Sequence, residues 1–149
     1  MEEFNTIEKV QELFRSVNCL GNDNTFFVAY NDKQKQSGMV GGMEHPYDGL
    51  LINANEYGIG MFYLKTQGMG GLLMANISKM NVCKDQFFFI PNGDIKNIQV
   101  KNYALFNSKT KRIELSTTNK TYKLFAKFVE KDFPYQTDNF TKFVNKYGK

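Results

Sequence analysis

The only histidine of the chain, His45, follows Glu44 and stands three residues before Asp48. An imidazole beside carboxylates could act as a general base or as one ligand of a metal ion. A metal site needs several ligands at defined spacing, and no second His and no Cys lies near this one. The two cysteines, Cys19 and Cys83, are far apart in sequence. A nucleophilic pair of Cys83 with His45 would need a signature around the cysteine, and none is present. Gly38-Met-Val-Gly-Gly42 and Gly68-Met-Gly-Gly71 have the composition of phosphate-cradling loops. A phosphate loop also needs a strand before it, a helix after it and a Lys at fixed spacing. Here strands follow both stretches, so turns or bulges are the better reading. The residues predict no catalytic group, no metal and no cofactor, hence a non-enzymatic chain.

Charge is the stronger chemical signal. Residues 1–83 carry six basic and nine acidic side chains, whereas residues 84–149 carry thirteen basic and six acidic ones. Nearly all the cations are Lys, with Arg only at Arg15 and Arg112. Lys is the usual cation of a solvated face, while bidentate phosphate recognition favours Arg. A positive half of this kind predicts either a plain solvated surface or attraction to an anionic one. Lys111, Arg112, Lys123 and Lys127 are the candidate anionic-surface contacts, expected on the wet faces of adjacent strands. Nucleic acid is not the expected partner. The run Phe87-Phe88-Phe89 has no flanking Gly or Arg and no RNA-binding signature.

The elements that carry these residues follow from periodicity. Ile113 and Leu115 alternate with Arg112 and Glu114; Tyr122, Leu124, Ala126 and Phe128 alternate with Lys123 and Lys127. A period of two with one wet face marks antiparallel strands. Strands are expected at 87–90, 95–106, 111–117 and 121–128. Phe125 breaks the alternation and lands on the polar face, either covering a neighbour or standing exposed. Phe140, Phe143, Val144 and Tyr147 recur at helical spacing and predict a capping helix over 137–147. Thr137 or Asp138 is expected at its N-cap and Gly148 at a left-handed C-cap.

The first half reads less sharply. Phe4, Ile7, Val10, Phe14 and Val17 recur every three or four residues and predict a helix over 5–17, with Asn5 and Glu8 at capping-box spacing. Strands are expected at 25–30, 39–43, 50–53, 57–64 and 72–77. The strand 57–64 is apolar on both faces, so it is either buried twice or meets a second molecule. The helix carries the same ambiguity. Phe4, Ile7, Val10, Phe14 and Phe62 are therefore candidate assembly or partner contacts, with core packing as the alternative. One α+β, mainly β domain is expected over 1–149. It divides into an N-terminal helix (1–21), a leading strand and loops (22–48) and a core (49–149). The core is expected to be a small antiparallel barrel or sandwich of about seven to nine strands. The acidic, non-apolar start predicts no signal peptide and a cytoplasmic chain with reduced thiols.

The unit Phe88-Phe-Ile-Pro91, Asp94-Ile-Lys-Asn-Ile-Gln-Val100, Lys111-Arg-Ile-Glu-Leu115, Thr121-Tyr-Lys-Leu-Phe125 and a final helix resembles bacterial pleckstrin-homology-like domains. Gly49-Leu-Leu-Ile-Asn53 and Gly58-Ile-Gly-Met-Phe62 are similar to the first hairpin of that family. The resemblance implies a capped antiparallel fold and a binding or scaffolding role through protein contact or self-association, with a homo-oligomer expected. It does not carry phosphoinositide recognition over, because the first-hairpin loop lacks a Lys and Arg cluster. Two further readings stand beside it. One is peripheral attachment to an anionic membrane, at its inner face, through the basic C-terminal half. The other is a small barrel enclosing an apolar ligand.

Overall fold

The computed structural model describes residues 3–32, 47–66 and 77–148. Its elements are helix α1 (Ile7–Ser16), strands β1 (Thr25–Asn31), β2 (Gly49–Asn55), β3 (Gly58–Thr66), β4 (Met80–Pro91), β5 (Ile95–Ala104), β6 (Asn107–Thr117) and β7 (Thr121–Lys127), and helix α2 (Gln136–Tyr147). Short 3-10 turns precede and follow β4. The strands expected at 39–43 and over most of 72–77 lie outside the described residues, as do His45 and both glycine-rich stretches.

Among the described residues the chain is mainly β, with seven antiparallel strands in one sheet of order β4-β3-β2-β1-β7-β6-β5. The expected barrel does not close: β4 and β5 are the two edges and share no ladder. The sheet is nevertheless curled. Phe88 on β4 stacks against Tyr122 on β7, four strands away in the order, with ring centroids 5.6 Å apart. Helix α2 fills the inside of the curl. Phe27 on β1 lies 5.2 Å from Phe140 and 4.7 Å from Phe143, and Val144 and Tyr147 complete the packed stripe. The capping residues therefore sit where their spacing placed them. The void left between sheet and helix is only about 10 Å³, lined by Ile52, Met61, Leu124 and their neighbours. Pockets that hold small molecules run to roughly 300 Å³ or more.

The apolar surplus of β1, β2 and β3 has a physical reason. Their outer face is buried as well, by α1 and the segment 130–135. Phe14 sits 5.7 Å from Phe26 and 5.1 Å from Phe62, and Phe4 stacks on Phe133 at 5.1 Å. Phe4, Val10, Phe14 and Phe62 are buried and Ile7 is half-buried against the same cluster. These five expected partner contacts serve the chain's own second core. Asn53, itself buried, donates to the Cys19 carbonyl at 2.8 Å and fixes the exit of α1 on the sheet.

Two helix ends differ from expectation. The cap of α1 is Thr6, whose hydroxyl accepts from the Lys9 N–H, and not Asn5. Helix α2 begins at Gln136, one residue early, because Gln136 is held by the sheet. Strands β1 and β7 pair only at Tyr30–Phe125 and Asn31–Leu124. Where they splay, the Gln136 side chain enters the gap. It accepts from the Val28 N–H at 2.9 Å and donates to the Val28 and Lys127 carbonyls at 3.1 and 2.9 Å. Asn139 extends the same pattern by accepting from the Phe26 N–H at 3.0 Å. At the far end Gly148 has φ −91°, so the expected left-handed cap does not form; its N–H returns to the Val144 carbonyl.

Candidate functional site

Alternation along β6 and β7 decides which cations share a surface. On the outward face Arg112 lies opposite Lys101 of β5 and Phe125 of β7, Glu114 lies opposite Gln99 and Lys123, and Thr110 lies opposite Lys127. Arg112, Lys123 and Lys127 therefore do project from one face. Lys111 does not: it has the parity of Ile113 and lies opposite Ala126. Its ammonium donates to the Asn102 side chain at 2.5 Å. The expected set of four on one wet face is corrected to three, and register adds Lys101.

Aromatic rings run through this surface. Phe125, the residue that broke the alternation, covers neighbours. It stacks on Tyr30 at 4.9 Å with rings nearly parallel, and Tyr103 of β5 lies 5.0 Å away on its other side. The Arg112 guanidinium sits 5.0 Å from the centre of the Tyr103 ring, and the Lys127 ammonium 5.2 Å from that of Tyr30. Arg112 is also committed to Asp32, with Nε 3.3 Å from a carboxylate whose side chain is 3 % exposed. It thus serves the fold before it can serve a ligand. Truncation in Arg112→Ala leaves a buried carboxylate unpaired. The expected loss is about 2–3 kcal/mol in a urea titration, below the figure for fully buried pairs because Arg112 is partly solvated. Adding Asp32→Asn should recover part of it.

Beside this row lies Glu130, pushed above its ordinary carboxyl value by burial, against the opposing pull of Lys127 and a hydrogen bond from Tyr30. Burial and the Glu130 charge together push the Tyr30 phenol up to about 12. Because the folded Glu130 holds its proton above the unfolded value near 4.5, the native state binds more protons there. Its contribution to stability is full below that value and is lost as pH rises through the folded one. Across that window the stability of the wild type relative to Glu130→Gln should fall with rising pH; the opposite contributions of Asp23 and Glu56, both held below their ordinary values, are common to the two proteins and cancel.

The end of this section is apolar and open. Leu105 and Phe106, expected as the last residues of a strand, instead form the turn between β5 and β6, with 84 % and 96 % of their surface exposed. Val129, just past β7, is exposed as well. The Phe128 N–H donates to the Lys109 carbonyl at 3.1 Å, which holds this stretch beside the base of the hairpin. The sequence offers only a faint signal, the loss of alternation at Tyr103-Ala-Leu-Phe106 just before Asn107-Ser108.

No family model, curated protein or solved structure matches this chain. The thiols show no reactive character. Cys19 is buried and pushed up to about 11 by desolvation, and Cys83 is raised chiefly by burial. Among the described residues no three His, Cys, Asp or Glu side chains gather where they could hold a metal ion. No described helix is long and apolar enough to cross a membrane.

Proposed function

We propose that this chain is a non-enzymatic binding module, built on a pleckstrin-homology-like plan, that attaches to anionic membrane surfaces through the outward face of β5, β6 and β7. The observation that carries the reading is an excess of positive charge. From Lys96 to Lys131 the chain has nine basic and two acidic side chains, all on or beside these three strands, with Arg112 among the nine paired to Asp32. The opposite end of the sheet is covered by α1. The plan itself is supported by element order: a strand ending in Ile90-Pro91, a strand from Ile95, two further strands as a hairpin, and a helix packed inside the curl.

A Lys near an anionic surface contributes about 1 kcal/mol, and the attraction fades within a Debye length. Vesicles containing phosphatidylserine are expected to pellet the protein, vesicles of phosphatidylcholine alone to leave it in solution, and added salt to release it. Lys123→Glu with Lys127→Glu should weaken pelleting about tenfold or more. Pelleting that ignores lipid charge and salt would end this reading.

Contact with a protein, including a second copy, is the other reading. Its support is a recess of about 320 Å³ at the turn between β2 and β3, where exposed Tyr57 and Phe89 stand near Leu20 and Phe87.

A further inference from the structure

We propose that the Leu105-Phe106 turn is a membrane-inserting tip, which enters the acyl boundary of an anionic leaflet while the lysines behind it meet the headgroups. The inference deepens the membrane reading and rests on it.

The tip is a two-residue turn between Ala104 and Asn107. Neither Leu105 nor Phe106 takes a positive φ, so the backbone demands no Asn or Gly there. It does not call for large apolar side chains either, and here they gain no burial. Single exposed apolar residues are common and need no explanation. Two adjacent large ones at the apex of a hairpin, with exposed Val129 near its base, form a protrusion. Apolar side chains gathered on the surface in this way mark interaction sites.

Charge identifies the occupant. Behind the tip, in sequence, come Lys101 on one strand and Lys109 and Lys111 on the other, with Lys127 opposite Thr110. A strand rises about 3.3 Å per residue, so Lys109 lies roughly 10 Å behind Phe106 and Lys101 roughly 13 Å behind Leu105. Interfacial segments seat their apolar groups about 5–10 Å into the boundary between headgroups and acyl chains. Insertion to that depth brings Lys109, with Lys101 and Lys127 behind it, toward the lipid headgroups. A purely apolar protein groove would take the tip but would offer these charges no anionic counterpart.

The chain contains no Trp, so full-length Phe106→Trp carries a single fluorescent indole at the apex. With phosphatidylserine vesicles its emission is expected to move to the blue and to be quenched by lipids brominated high on the acyl chain. With phosphatidylcholine vesicles it should stay water-like. Leu105→Ser and Phe106→Ser should each weaken pelleting about tenfold without lowering the melting temperature, since both side chains are exposed. If the Phe106→Trp protein pellets with anionic vesicles while its emission stays water-like, the tip proposal is overturned and the basic face stands alone. If nothing pellets, both fall. A blue shift without vesicles that grows with protein concentration would make the tip a contact between copies and would also overturn the proposal.

Discussion

Replacing Gln136 by leucine is expected to destabilise the protein by about 3–6 kcal/mol, a large part of the stability of a domain this size. The side chain is fully buried and completes three hydrogen bonds that the sheet cannot make for itself. Strands β1 and β7 are paired over only two residues, so the Val28 N–H and C=O and the Lys127 C=O have no strand partner beside them. Leucine fills similar space and leaves all three unsatisfied, each costing about 1–3 kcal/mol. Thr137→Val provides the comparison. Its hydroxyl donates to the Phe128 carbonyl at an exposed position, where water can replace it, and the loss should stay near ~1 kcal/mol. Urea titrations of the two variants decide the matter. A loss under about 1 kcal/mol for Gln136→Leu would mean that the gap between β1 and β7 closes by itself.

Phe143→Ala is expected to cost about 3–5 kcal/mol, through lost transfer energy and the cavity left behind. The ring lies 4.7 Å from Phe27 and 4.8 Å from Tyr147, and almost none of it reaches solvent. The interior beside it already contains a small void. Collapse of the walls inward would bring the cost toward the lower end. A loss below about 1 kcal/mol in the same titration would mean that α2 does not fill the curl of the sheet.

These two positions also mark the boundary of what the sequence discloses. Phe143 was legible because periodicity alone assigns it to a buried helix face. Gln136 was not, because its role depends on two strands that part company more than a hundred residues earlier in the chain and immediately before it. The curl without closure was hidden for the same reason: alternation specifies which face of a strand is wet, and says nothing about whether β4 meets β5. The apolar excess of α1 and β3 was visible, but a helix that buries its stripe within one chain and a helix that recruits a second chain have the same pattern. Only the contacts of Phe14 with Phe26 and Phe62 separate them. On the candidate surface, parity was sufficient for Arg112, Lys123 and Lys127. Lys111, expected with them, has the parity of Ile113 and lies on the opposite face, so that expectation fails. Asp32 and Tyr103, which occupy Arg112, come from distant stretches with no motif to connect them. Leu105 and Phe106 were concealed by their own hydrophobicity, which reads as strand until the pairing of Ala104 with Asn107 makes them a turn.

If the proposed function holds, the chain meets its target with the β5–β7 end and not with α1. Amide hydrogen exchange of the full-length protein, with and without phosphatidylserine vesicles, tests this most directly. Slowed exchange is expected at residues 104–109 and 128–131, with no change in α1 or at the turn around Tyr57. Slowing confined to α1 or to the Tyr57 turn, with residues 104–109 unchanged, would contradict it.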